Sequence, residues 1–139
     1  MKPKSRTQRW NDAASRAVSA LQELETTQQS EPEDRDLSAW GQTAADAESA
    51  LSDLNDVKEE YQNWLDNLPE NLQSSNLADK LQTVCDIDID SALDVAQEAA
   101  AMDEAKLKAP ELEDLDVTGA ISTAEEAEGA DLPLGFGRD

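Results

Sequence analysis

From Arg6 to Gln28 the apolar residues Trp10, Ala14, Ala17, Leu21 and Leu24 recur at alternating spacings of four and three, the seam of a coiled-coil helix. Ser30-Glu31-Pro32-Glu33-Asp34-Arg35-Asp36 interrupts the pattern, and its proline disfavours helix in the residue before it, so a turn is expected. A second helix, capped by Asp36 or Ser38, follows. Its seam, Trp40, Ala44, Ala47, Leu51, Leu54, Lys58, Tyr61, Leu65 and Leu68, is broken only by Lys58. Val57 and Trp64 widen the stripe toward Pro69, where more than one neighbour is expected. Two long helices joined by a short connection predict an antiparallel hairpin.

Beyond Pro69 the periods shorten. Pro69 to Gln73 reads as one turn, Ser75 or Asn76 caps a short helix through Cys85, and Asp88 or Asp90 caps another reaching about Asp103. The segment Ile87–Ala99 repeats at an offset of 28 residues as Leu115–Ala127, with Ile87/Leu115, Ile89/Val117 and Leu93/Ile121 keeping their apolar character. Two copies of a capped, acidic, Ala-rich helix are implied, joined by a linker around Pro110. The chain closes on Leu132-Pro133-Leu134-Gly135-Phe136-Gly137-Arg138-Asp139, which is apolar and glycine-flanked. The expected fold is therefore all-α: a long antiparallel, coiled-coil-like hairpin followed by short acidic helices and an extended C-terminal tail. Its divisions are 1–68 with a basic N-terminal tip, 69–104 packing on the hairpin end, and 105–139 carrying linker, second acidic helix and tail.

Composition refines this picture. Hydrophobic residues are 38% of the 139 and aromatics 4%, which favours long, thin helical packing over a thick core. The net charge of −21 is uneven, because Lys2, Lys4, Arg6, Arg9 and Arg16 crowd the start of the chain. Residues 86–139 hold 16 acidic groups against 3 basic ones. Such a surface repels nucleic acid and anionic lipid and draws basic partners. The lone Cys85, the absence of an apolar leader after the basic N-terminus and the lack of an apolar run of membrane-spanning length make a reducing cytoplasm the default expectation.

Candidate chemistry is sparse. Asp86-x-Asp88-x-Asp90 has the alternation that opens a calcium loop, but Ser91 stands where glycine is needed and Gln97 where the bidentate glutamate belongs. Helix capping, favoured by the helix dipole, accounts for both copies. With no histidine, no glycine-rich phosphate loop and no Cys/His pairing, catalysis, a cofactor and a metal are not implied. Tyr61, Trp64 and Leu65 form the one aromatic cluster, either core or an interaction anchor. Carboxylates four residues apart on a helix lie about 6 Å apart along its axis, close to the spacing of phosphates on a nucleic-acid strand. An acidic rod could thus imitate duplex DNA, although a merely solubilising surface explains the same charge. Candidate partner-binding residues are Asp86, Asp88, Asp90, Asp94, Glu98, Asp114, Asp116, Glu125, Glu126, Trp64 and Phe136.

The segments Tyr61–Ser75 and Glu125–Asp139, with the opening Arg6-Thr7-Gln8-Arg9-Trp10, resemble stretches of small acidic helical proteins of bacteriophages, over about half the chain. The resemblance implies one of two roles. One is a non-enzymatic inhibitor of a host defence or nucleic-acid-binding protein, acting in the host cytoplasm on a basic partner and possible as a DNA mimic. The other is a coiled-coil assembly or scaffolding factor of a virion, self-associating as a homodimer along the two seams. Direct nucleic-acid binding through the basic tip is the least favoured, since five charges give only weak, salt-sensitive binding that the rest of the chain opposes.

Overall fold

The computed structural model describes residues 6–31, 35, 39–72, 76–107, 112, 114–130 and 132. Every regular element among them is helical: α1 (Arg6–Gln29), α2 (Trp40–Asp66), a 3-10 turn (Glu70–Leu72), α3 (Asn76–Cys85), α4 (Ile89–Ala100), α5 (Glu104–Leu107) and α6 (Val117–Glu128). No helix among the described residues is long and apolar enough to cross a membrane.

The two seams form the centre of the molecule. Trp10, Ala14, Ala17, Leu21 and Leu24 on α1 and Trp40, Ala44, Ala47, Leu51, Leu54 and Tyr61 on α2 are all buried. The helices pack together in opposite directions, as the pairs Arg9–Glu60, Arg16–Asp53 and Glu23–Thr43 show. The proposed caps Asp36 and Ser38 lie outside the described residues. The observed cap position is Ala39, which makes no side-chain capping bond.

Both helices are wider in their buried face than the seam alone. Ala13, Val18 and Ala20 on α1 and Ala50 and Val57 on α2 are also buried, because α1 has α6 as a second neighbour and α2 has α4 and α3. Helices α4 and α6 pack on each other as well, so α1, α2, α4 and α6 form a closed ring of neighbours, a four-helix bundle. One hydrophobic cluster runs through all of them and takes in Leu107, Leu112 and Leu132.

An approximate twofold axis organises this bundle. The indole Nε1 of Trp10 donates to the carbonyl of Ala127 at 2.7 Å, and that of Trp40 donates to Ala99 at 2.8 Å. At the other ends, Gln28 donates to the carbonyl of Leu115 at 2.6 Å and Lys58 to that of Ile87 at 2.6 Å. Between them, Thr118 donates to Glu25 and Asn55 to Asp90. In each set the α1 and α2 residues are 30 apart and the α4 and α6 residues are 28 apart, so the α1–α6 pair is the counterpart of the α2–α4 pair. The sequence carries the first relation in Trp10/Trp40, Ala14/Ala44, Ala17/Ala47, Ser19/Ser49, Leu21/Leu51 and Leu24/Leu54.

Polar groups pin the bundle ends. Arg35, only 6% exposed, donates to the carbonyls of Gln28, Ser30 and Leu107, placing a cation where the C-terminus of α1 presents its partial negative charge. At the opposite end Arg6 lies over the rings of Tyr61 and Trp64, 5.5 and 5.3 Å from their centroids.

Candidate functional site

The acidic helices keep one face for the core and one for solvent. On α4, Ile89, Ala92, Ala96 and Ala99 are buried, which leaves Asp90, Asp94 and Glu98 exposed at successive steps of four residues. On α6, Val117, Ala120, Ile121, Ala124 and Ala127 are buried and Glu125 and Glu126 exposed. The rise of a helix sets the α4 carboxylates about 6 Å apart along its axis. The helix that holds this row is apolar on one side and solvated on the other.

Individual roles divide the candidates. Asp88 caps α4 by accepting from the Ser91 amide at 3.2 Å, and Asp116 caps α6 by accepting from the Gly119 amide at 3.0 Å. Asp86 accepts from Gln82, one turn earlier, and Asp90 from Asn55 on α2. The three aspartates of the calcium-like alternation therefore turn to three different partners. Among the described residues no group of three or more His, Cys, Asp or Glu is placed to hold a metal. Asp114 is exposed, two residues before the second cap. Phe136 lies outside the described residues.

Trp64 is half-buried and stacks on Tyr61 with ring centroids 6.4 Å apart, while Tyr61 meets Trp10 edge-on at 5.8 Å. With Arg6 over both rings, the aromatic cluster closes the bundle end as well as showing one edge to solvent. The Tyr61 hydroxyl is buried without a well-formed hydrogen bond among the described residues. Burial pushes its pKa up, opposed by the Thr7 hydroxyl and by Arg6 and Arg9. Burial also pushes up the Cys85 thiol, against the attraction of Lys58.

A feature that the heptad reading passes over is the charged crossing of α1 and α2. Arg9 makes a two-pronged contact with Glu60 at 2.6 and 2.7 Å, which raises the Arg9 pKa and holds the Glu60 carboxyl below its usual range. Arg16 reaches Asp53 at 2.7 Å. The signal for these pairs was the position of Arg9 and Arg16 seven apart on the flank of the α1 seam. Comparison with protein families, with curated proteins and with solved structures finds no match to the chain.

Proposed function

We propose that this chain is a non-enzymatic, acidic protein-binding factor of bacteriophage origin that occupies the nucleic-acid-binding surface of a basic host protein in the cytoplasm. What carries the reading is the exposed row Asp90, Asp94 and Glu98 on a helix whose other face is locked into the core, with Glu125 and Glu126 on the neighbouring acidic helix. Carboxylates held at phosphate-like intervals on a rigid support compete for a basic groove with little ordering cost on binding. The net charge of −21 adds long-range attraction to such a partner.

The assembly role is the weaker alternative. It places self-association on the seams of α1 and α2, whose residues here bury against each other and against α4 and α6. A partner copy would have to displace contacts already made.

The test is capture of host proteins on the immobilised chain, followed by elution with salt and with duplex DNA. The expected partner is a basic nucleic-acid-binding protein released progressively between about 0.1 and 1 M salt and displaced by DNA. A captured partner indifferent to both would sink the proposal.

A further inference from the structure

The approximate twofold separates what the bundle repeats from what only one end carries. Helix α1 ends at Gln29, the counterpart of Glu59, so residues 60–66 of α2 run past the part of the helix that is matched. Trp10 and Trp40 answer each other, but the same offset of 30 sets Tyr61 and Trp64 opposite Glu31 and Asp34, and Arg6 opposite Asp36. The aromatic cluster is thus an addition to one end. There α2 presents a half-buried tryptophan outside the repeated framework.

Its chemistry is that of a cation site, and a cation of the same chain sits on it. The Tyr61 and Trp64 rings stack with centroids 6.4 Å apart, and the Arg6 guanidinium lies 5.5 and 5.3 Å from them, within the range of cation–π attraction. Glu60 takes its close contacts, 2.6 and 2.7 Å, from Arg9, whereas its contact with Arg6 is 3.4 Å. Arg6 is the first residue of α1, and its side chain is 38% exposed. Asp56, Glu59, Asp66 and Glu70, on the same stretch of chain, are exposed carboxylates.

We propose that the Tyr61–Trp64 pair docks an arginine of a basic partner protein, with Arg6 holding the site as an internal stand-in until the partner's guanidinium replaces it. The exchange swaps one cation–π contact for another, while Arg9 keeps Glu60 in place and Trp10 stays edge-on to Tyr61. Charge complementarity selects the occupant, because the carboxylates of this stretch oppose an acidic or neutral segment and favour a basic one. Arginine fits better than lysine: its guanidinium is planar, stacks on aromatic faces and is more weakly hydrated. Tryptophan and tyrosine meeting arginine are also the residue types that dominate binding energy at interfaces. With the proposed function the inference shares only a basic partner, and it places the contact on α2 rather than on the α4 row.

The probes are capped tetra-arginine and tetra-lysine, each added to the isotopically labelled full chain at about 0.15 M salt, where distant charges are screened. Their charges are equal, so both sample the acidic surface alike. Only tetra-arginine is expected to give a saturable shift of the Trp64 indole N–H. Arg6→Ala empties the site and should tighten that binding at least about threefold. Trp64→Leu should weaken tetra-arginine to the level of tetra-lysine. Should Arg6→Ala unfold the start of α1, Arg6→Met, which keeps an unbranched stem, reads the same release. Equal Trp64 shifts from both peptides, no saturable shift at millimolar peptide, unchanged affinity in both Arg6 variants, or unchanged tetra-arginine binding in Trp64→Leu would overturn the inference. A host protein released by salt and DNA but held equally well by Trp64→Leu would overturn it while leaving the proposed function standing. Tetra-arginine docking at Trp64, with capture only of a partner indifferent to salt and DNA, would do the reverse.

Discussion

Two tryptophans do equivalent work at opposite ends of the bundle, each through a buried indole hydrogen bond. Each ring fills a closed site and each Nε1 satisfies a carbonyl in the last turn of an acidic helix, Ala127 for Trp10 and Ala99 for Trp40. Replacing either by phenylalanine removes the donor and leaves a gap, so Trp10→Phe and Trp40→Phe should each cost about 1–3 kcal/mol, and similar amounts, in urea unfolding. A loss at only one of them would contradict the equivalence. Tyr61 makes the opposite case. Its hydroxyl is buried without a well-formed bond among the described residues, so Tyr61→Phe should leave stability unchanged or raise it by up to about 1 kcal/mol. The burial of these rings was legible in the spacing, because Trp10, Trp40 and Tyr61 sit on the seam. Their polar partners were not, since a carbonyl 117 residues away leaves no trace in local periodicity. The same holds for Arg35, a charged residue in a polar stretch that sequence logic assigns to solvent and the fold buries against three carbonyls.

Helix starts follow side-chain chemistry where the chain supplies it. Asp88 and Asp116, separated by the 28-residue repeat, cap α4 and α6 in the same way. Asp88→Ala and Asp116→Ala should each lose about 0.5–2 kcal/mol by thermal or urea unfolding, while Asp94→Ala, mid-helix and exposed, should lose little. Between α1 and α2 the pairing of Glu60 with Arg9 gives a pH signature. Glu60 has its folded pKa lowered, so its contribution is present above the usual glutamate range near pH 4 and is lost as pH falls through the lowered value. Comparing melting of the native chain and Glu60→Gln from pH 7 down to 3 should show a gap that closes at the acid end. A gap that widens there would contradict the pairing. The repeat of α4 in α6 was readable because both copies share cap, apolar face and length. The corresponding relation of α1 to α2 lies in the sequence as identities 30 residues apart, such as Trp10/Trp40 and Ser19/Ser49, but the heptad seam that both helices share masks it. The matched bonds from Trp10 and Trp40 and from Gln28 and Lys58 separate a duplicated arrangement from a shared period.

At the scale of the molecule, the low aromatic content pointed to thin packing, and the buried set shows how alanine serves instead. Ala13, Ala14, Ala17, Ala44, Ala47, Ala92, Ala96, Ala120, Ala124 and Ala127 let helices approach closely, so a closed bundle forms with few large side chains. One cluster spanning α1, α2, α4 and α6 implies one cooperative unit. Helix content by circular dichroism and tryptophan fluorescence, to which Trp10 and Trp40 against α6 and α4 contribute together with the half-buried Trp64, should therefore unfold together. A hairpin with an independently folding acidic tail would give two transitions, the helical signal persisting after the fluorescence has changed. Charge acts on the same unit. With 32 acidic and 11 basic residues, self-repulsion opposes compaction, and raising salt from about 0.02 to 0.5 M should raise the melting temperature by screening it. The three arginine contacts across α1 and α2 lose strength in salt, but they are few and largely solvated. The net shift should be upward, and a fall in melting temperature across that range would mean that those bridges outweigh the repulsion of the whole surface.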